Sequence, residues 1–221
     1  MVDDAPFRYR EPMYRPSVFR EDRAEVLHDA IRAHPLGTLI TAGSSGLIAN
    51  VIPFSLRVSD SGEVLCGHLA RANEQIVALR EGTPALIVFQ GPQGYVSPSW
   101  YPTKREHGKA VPTWNYVIVQ ARGIPHIIDD PEWLLSQIGE LTDAHETGRE
   151  EPWSVNDAPA SFVQTLLKGI VGLEIPVDFL EGKWKVSQNQ PEQNRLGVVA
   201  GLRNDGNSAL ADLVMSRTST R

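Results

Sequence analysis

The sequence predicts a mainly β fold: an antiparallel barrel with helices added at its margins. Strand-like apolar runs follow one another between residues 36 and 70, separated by the turn sequences GSSG (43–46) and SDSG (59–62). Such spacing is typical of hairpin-joined strands. The stronger helical patterns lie before and after the strand-rich part of the chain. This order argues against alternating βαβ units and favours a barrel.

The N-terminal third begins with an extended segment and one helix. Residues 1–19 contain several prolines and aromatic residues, and they predict a lead-in that lies over the body, because proline disfavours a helix. Apolar residues recur at helical spacing over 21–34, and Pro35 ends that predicted helix. After the three strand-like runs, NEQIVALR (73–80) predicts a short helix with Asn73 as its N-cap.

The rest of the chain continues with strands and then helices. The sequence NYVIVQARGIPHIID predicts a long strand with a bend at Gly123 and Pro125. Asp130 caps the next predicted helix and Pro131 lies in its first turn. The predicted elements are a strand at 83–91, the bent strand at 115–129, helices at 130–146 and 160–167, one bent strand or two strands at 169–187, and helices at 191–203 and 207–217.

The length of 221 residues suits one large domain with a helical addition. We expect a barrel domain with its N-terminal extension over 1–190. Residues 191–221 are expected to form a C-terminal helical extension packed on the barrel.

Composition excludes several classes of protein. The net charge of −6 argues against a broad nucleic-acid-binding face, and no apolar run approaches the roughly 20 residues of a membrane span. A single cysteine, Cys66, excludes an internal disulfide and suits a reducing compartment. The six histidines lack the spacing of a zinc site. The sequence therefore predicts a soluble, cytoplasmic protein without a metal.

The segment GHLARANEQ (67–75) follows a strand pattern and precedes a helix pattern. His68, Arg71, Asn73 and the N–H groups of a helix start could converge there on a phosphate. A helix cap beside one surface arginine would have the same sequence, so both interpretations stay open.

Two further segments combine aromatic and polar residues. In VPTWNY (111–116), Trp114 could cover a ring face while Asn115 binds a ring edge, or Trp114 could be a core residue. In GKWKVSQNQ (182–190), Lys183 and Lys185 share one face of a strand. They could clamp a phosphate or protect a sheet edge.

The two C-terminal helices flank NDG (204–206) and could be taken for a helix-turn-helix. Asp205, Asp212 and the apolar residues around them favour a hairpin packed on the barrel instead, although the DNA-reading alternative stays open.

Taken together and in this order, these motifs resemble the PaiB-type FMN-binding negative transcriptional regulators. The resemblance covers nearly the whole chain, with Glu74 and Gln75 standing where a proline is expected, and Lys183–Lys185 where a leucine is common nearby. It rests on the segments MYRPSVF (13–19), IPF (52–54), GHLARANEQ, GPQGYVSPSWY (91–101), VPTWNY, GKWKVSQNQ and RLGVVAGL (195–202).

The resemblance implies an FMN-binding split β-barrel, related to pyridoxamine-phosphate-oxidase-like flavoproteins. It also implies a homodimer with FMN at the subunit interface. The strand at 50–53 would lie along the flavin ring, residues 68–73 would receive the phosphate, and Trp114 with Asn115 would reach the partner's flavin. The implied cofactor-binding residues are Asn50, Val51, Ile52, Pro53, His68, Ala70, Arg71, Asn73, Trp114, Asn115, Lys185 and Gln188.

The family label implies a transcriptional regulator acting as a repressor, and DNA as a partner, which the acidic charge of the chain does not favour. The alternative is a flavin-dependent oxidoreductase that uses NAD(P)H with a small-molecule acceptor. A third hypothesis is a flavin carrier with neither activity. The sequence leaves open whether the protein is an enzyme.

Overall fold

The computed structural model describes residues 13–44 and 46–217. These residues form two compact units. The first unit comprises 31–89 and 120–180, and the second comprises 13–30, 90–119 and 181–217. Residues 1–12 of the predicted lead-in lie outside the described residues, and the predicted boundary at residue 190 stays a prediction.

The described residues contain ten strands and seven α-helices. The strands are β1 Arg20–Glu21, β2 Leu36–Gly43, β3 Gly46–Pro53, β4 Ser55–Ser59, β5 Gly62–Ala70, β6 Ala85–Val96, β7 Thr113–Gly123, β8 His126–Ile128, β9 Ile170–Pro176 and β10 Phe179–Lys185. The α-helices are α1 Ala24–Ala33, α2 Gln75–Arg80, α3 Lys104–His107, α4 Pro131–Glu146, α5 Ala160–Leu167, α6 Glu192–Asn204 and α7 Ser208–Ser216. Short 3₁₀ helices occur at Ser17–Phe19, Pro98–Trp100 and Val155–Asp157.

In the first unit, β2 is the central strand of an antiparallel group. It pairs with β3 along its whole length, from Leu36 opposite Pro53 to Gly43 opposite Gly46, as the predicted hairpin requires. Its other edge pairs with the beginning of β6, with Gly37 opposite Phe89. A second antiparallel sheet has the order β4-β5-β9-β8.

Four strands occupy residues 36–70, where the sequence predicts three runs. The break falls at Phe54, because β3 and β4 belong to different sheets and the chain changes sheet there. The Phe54 N–H donates to the Pro35 carbonyl at 2.9 Å, and its buried ring packs edge-on against Phe89. Since apolar residues continue through the break, periodicity alone does not reveal it.

The predicted bend at Gly123 and Pro125 is confirmed, since β7 ends at Gly123 and β8 begins at His126. A β-carbon at Gly123 would lie 2.0 Å from the Pro176 carbonyl oxygen, so only glycine permits this close approach. The predicted cap of α4 is also confirmed, because the Asp130 carboxylate accepts the Glu132 N–H at 2.9 Å.

In the second unit the strand order is β1-β10-β7-β6. The predicted C-terminal helices are confirmed as α6 and α7. They form a hairpin whose inner face is apolar, with Val198, Leu202, Leu210 and Val214 buried. The helix α6 also packs closely on Trp100.

Candidate functional site

The predicted site residues occur in both units, and each group is described within its own unit. In the first unit, Asn50 on β3 and Asn73 before α2 share a network of amides. The Asn50 Nδ2 donates to Gln75 Oε1 at 2.9 Å and lies 3.4 Å from Asn73 Oδ1. The same Asn73 oxygen accepts the Gln75 N–H at 2.9 Å. The two predicted asparagines are therefore brought together by a third amide side chain.

Gln75 organises this network, and it is absent from the predicted site. Its side chain is fully buried. Its Nε2 donates to the Leu39 carbonyl at 3.0 Å, to Thr41 Oγ1 at 3.1 Å and to the Ile48 carbonyl at 3.3 Å. These bonds attach the start of α2 to β2 and β3. One feature of the sequence could have indicated Gln75: Glu74 and Gln75 stand where the family resemblance leads one to expect a proline.

The N-cap of α2 lies one position after Asn73, the cap that the sequence predicts. The structure gives the N-cap position to Glu74, whose side chain makes no capping hydrogen bond. Glu74 already has helical dihedral angles, with φ −60° and ψ −24°, so Asn73 accepts the Gln75 N–H from one residue further out. Asn73 therefore still accepts a backbone N–H at the start of α2, although it is not the N-cap residue.

Arg71 has protein partners around its guanidinium group. Its Nη1 donates to Asp129 at 2.6 Å, its Nε to the Lys168 carbonyl at 3.1 Å and its Nη2 to the Ile170 carbonyl at 2.9 Å. Asp129 also pairs with Arg80 at 3.0 Å. The arginine is about half exposed. In this arrangement it fastens the turn after β5 to residues 168–170, next to Ala70.

His68 lies on β5 but has other neighbours. Its Nδ1 is 2.8 Å from Oε1 of Gln137, a fully buried residue of α4. The ring also borders an apolar pocket beside α4 and α5. Its hydrogen-bond partner therefore differs from the partners of Arg71, although the sequence predicts one phosphate site for both.

The run from Asn50 to Pro53 presents two faces, as a strand must. Asn50 and the buried Ile52 face the inner side, whereas Val51 and Pro53 face the outer side. Leu47 on the same strand and Leu36 opposite Pro53 share the outer face. The exposed fractions are 61% for Leu36, 80% for Leu47 and 58% for Val51.

The second unit contains a polar pocket of about 280 Å³. Its wall includes two lysines, several side-chain amides and hydroxyl groups. The principal polar residues are Thr103, Lys109, Thr113, Asn115, Lys185, Ser187, Asn189, Gln190 and Asn194. Cationic and amide groups together suit an anionic or polar-edged molecule.

Strand β7 and the chain after β10 orient this wall. The Nδ2 of the buried Asn115 donates to Ser187 Oγ at 2.8 Å. The Lys185 ammonium donates to the Trp114 carbonyl at 2.7 Å and to Thr113 Oγ1. Burial lowers the pKa of Lys185, and the nearby charge of Lys183 lowers it further. Ser187 has a φ of 62°, in the left-handed region. Two predicted residues, Asn115 and Lys185, thus meet in this pocket.

Trp114 and Gln188 are placed differently from these two residues. Trp114 is 48% exposed, donates from Nε1 to Gln93 at 3.0 Å and packs edge-on against Tyr95, so it is not the core residue of the alternative interpretation. Gln188 folds back on its own backbone, since Oε1 accepts the Val186 N–H at 2.8 Å and Nε2 donates to the Trp184 carbonyl.

The arginines of the C-terminal helix pair have partners within the second unit. Arg203 pairs with Asp212 at 3.0 Å, Arg217 pairs with Glu21, and Arg195 Nη1 donates to the Arg217 carbonyl at 3.2 Å. Together with the buried inner face, these contacts favour the packed hairpin of the sequence interpretation.

Within residues 13–44 and 46–217, no group of three or more His, Cys, Asp or Glu side chains is placed to hold a metal ion. In the same part of the chain, no helix combines the length and the apolar character needed to cross a membrane.

Comparisons with known proteins show the family and the fold of this chain. A family model described as "Putative FMN-binding domain" matches residues 13–179. The Bacillus subtilis (strain 168) protein named Protease synthase and sporulation protein PAI 2 is 31% identical over 195 residues, which is 88% of this chain and 91% of that protein. An uncharacterized protein of Emericella nidulans is 37% identical in an alignment of 244 positions that covers 93% of this chain and 97% of that protein.

Among solved structures, the FAD and heme binding protein from Mycobacterium smegmatis is similar, with a TM-score of 0.57 and 21% identity. The match covers 75% of this chain and 73% of that chain. At this level of identity the likeness shows the fold alone, and the predicted split-barrel class with flanking helices is confirmed.

Proposed function

The chain belongs to the PaiB-type FMN-binding family, as its motifs predicted, and on that premise we propose that it acts as a homodimeric, FMN-binding regulatory protein. FMN is the cofactor of this family. The observation that carries the proposal is the polar pocket of the second unit, with Lys185 and Asn115 in its wall. The single buried cysteine supports a place in the cytoplasm.

The residues of this pocket fit FMN, which consists of a flat ring system with polar edges and a phosphate dianion. Lys109 and Lys185 supply positive charge, while Asn115, Asn189 and Asn194 supply amide donors and acceptors. The volume of about 280 Å³ is below the roughly 300–1,000 Å³ of pockets that enclose a drug-sized ligand. We therefore assign one polar end of FMN to this pocket, and the rest of the cofactor must bind against another protein surface.

The outer face of β3 and β2 supports the homodimer. Leu36, Leu47 and Val51 are exposed along this face, and Ile40 and Ala49 form one cross-strand pair between them. Monomers seldom expose continuous apolar patches of this kind. A second copy would cover the face, and the polar pocket of that copy, with its Trp114 and Asn115, would then complete the cofactor site.

Titration of flavin-free protein tests cofactor binding. We expect FMN to bind more tightly than riboflavin, because only FMN carries the phosphate, and more tightly than FAD, whose adenylate needs additional room. Fluorescence quenching of each flavin measures the three affinities. Equal affinity for FMN and riboflavin would contradict a phosphate site in this protein.

The contact between Arg71 and Asp129 allows a sharper test of the phosphate site. If Arg71 binds the phosphate, Asp129 competes for its guanidinium. Asp129→Asn should then tighten FMN binding several-fold, and Arg71→Ala should weaken it by roughly tenfold. Riboflavin affinity should stay the same in both variants. If Arg71 only fastens the turn to residues 168–170, Asp129→Asn leaves FMN affinity unchanged or changes both flavins equally.

A flavin-dependent oxidoreductase is the second candidate function. The observation that bears on it counts against direct DNA binding: Arg203 of α6 and Arg217, which follows α7, are paired with carboxylates, which disfavours a DNA-reading surface there. FMN-loaded protein should then oxidise NADH or NADPH with a small-molecule acceptor. A regulator without this activity should consume neither cofactor, and should instead retard DNA in a gel-shift experiment.

A further inference from the structure

A second pocket lies wholly within the first unit, beside α4 and α5. Its volume is about 340 Å³, inside the range typical of small-molecule sites. The wall is almost entirely apolar. It includes Ile138, Trp153, Phe162, Val163, Leu167 and Ile170.

Two polar side chains, His68 and Thr142, lie in this apolar wall, and a hydrogen bond to Gln137 fixes the direction of His68. Its Nδ1 faces Gln137 Oε1 at 2.8 Å, and an amide oxygen only accepts, so Nδ1 donates in this arrangement. The other ring nitrogen, Nε2, then keeps an acceptor lone pair. Gln137 is fully buried, which holds the ring in this orientation.

The rim of the pocket is apolar as well. The exposed fractions are 48% for Trp153, 56% for Phe162 and 56% for Leu166. Exposed aromatic side chains around a concave, apolar space are typical of an entrance for a small ligand. A flat protein-binding face would lack such a recess and the polar side chains of His68 and Thr142 on its wall.

We propose that this pocket binds a small, mostly apolar ring compound whose single hydroxyl or N–H group donates to Nε2 of His68. The ligand class differs from FMN, since the wall holds no cationic side chain among the described lining residues. His68 accordingly serves this site instead of the phosphate, and the proposal does not depend on the proposed function.

The test uses the full-length protein in the oligomeric state in which it is purified. Calorimetric titrations measure its binding of two probes, 2-naphthol and naphthalene. Both compounds should bind. The hydroxyl of 2-naphthol should improve its affinity by roughly two- to tenfold, the value of one hydrogen bond. The double variant His68→Leu/Gln137→Leu replaces both polar partners together and should remove the difference between the probes.

A blocking variant and a matched control locate the binding. Val163→Phe fills the pocket and should abolish binding of both probes, whereas Val77→Phe adds the same ring at an exposed helical valine of the same unit and should bind both normally. Circular dichroism and FMN affinity report whether each variant folds. The proposal is overturned if wild type binds neither probe or if Val163→Phe binds both of them unchanged.

Discussion

Glu21 is a carboxylate that is only 3% exposed and lies among arginines of the second unit. Burial alone would raise its pKa. Hydrogen bonds from Arg23, at 2.9 and 2.7 Å, and from Arg217 outweigh burial and lower the pKa from 4.5 to about 2. Since Glu21 belongs to β1 and Arg217 follows α7, this one residue ties the beginning of the described chain to its end.

The lowered pKa of Glu21 predicts a pH-dependent contribution to stability. Because the pKa of Glu21 is lower in the folded state than in the unfolded state, the ionised carboxylate stabilises the fold at pH values above 4.5. This stabilisation is lost as the pH falls towards about 2. The contribution at pH 7 is about 3 kcal/mol. Glu21→Gln should therefore be less stable at pH 7, and its deficit should shrink between pH 5 and pH 2. Urea unfolding at a series of pH values measures this difference.

Asp22→Asn is the matched control, because the Asp22 side chain is 57% exposed, whereas its partner Arg15 is 10% exposed. An exposed carboxylate in an ion pair usually contributes less than roughly 1 kcal/mol, so we expect a smaller deficit at pH 7 than for Glu21→Gln. A deficit of Glu21→Gln that stays constant down to pH 2 would refute the assignment.

At the scale of secondary-structure elements, the packing of α6 depends on two glycines. A β-carbon at Gly197 would lie 1.9 Å from the Trp100 carbonyl oxygen, and one at Gly201 would lie 2.2 Å from the Trp100 ring. Helix propensity alone favours alanine over glycine by roughly 1 kcal/mol. The packing of α6 against Trp100, in the segment after β6, outweighs this preference for alanine.

Alanine substitutions in two helices should consequently have opposite effects. Gly197→Ala should lower the unfolding free energy by roughly 1–3 kcal/mol, because a backbone carbonyl cannot move aside cheaply. Gly139→Ala in α4 should raise it by up to roughly 1 kcal/mol, since no described atom lies within 4 Å of the added methyl group. Chemical denaturation measures both. Equal effects of the two substitutions would show that helix propensity, and not packing, determines the change in unfolding free energy at Gly197.

At the scale of the whole molecule, we expect the exposed face of β2 and β3 to bury itself against a second copy. Val51→Lys places a charge in the middle of this face and should convert the dimer to a monomer in sedimentation experiments. FMN affinity should fall with it, because the partner contributes to the cofactor site, and added FMN should stabilise the wild-type dimer by mass action.

Val58→Lys is the control for this experiment, since Val58 is an exposed strand valine on β4 of the other sheet. It should leave the dimer and the FMN affinity unchanged. A Val51→Lys variant that remains a dimer and keeps its FMN affinity would place the subunit interface elsewhere.

Local chemistry made much of the fold predictable. The Asp130 cap, the bend at Gly123 and the hairpin at 43–46 follow from backbone geometry within a few residues. The break at Phe54 could not be predicted in this way, because its cause is a change of sheet. The family and its cofactor were also accessible, since several short motifs kept their order along nearly the whole chain.

The sequence by itself determined the mainly β fold, the family, and which amide, aromatic and basic residues are candidates for a flavin site. Tertiary structure alone decided which partner each candidate meets. Asn115 and Lys185 share a polar pocket, His68 faces Gln137, and Arg71 faces Asp129. The physical reason is that caps and turns depend on neighbours in the chain, whereas the orientation of a side chain depends on packing between segments far apart in sequence, which leaves no local pattern.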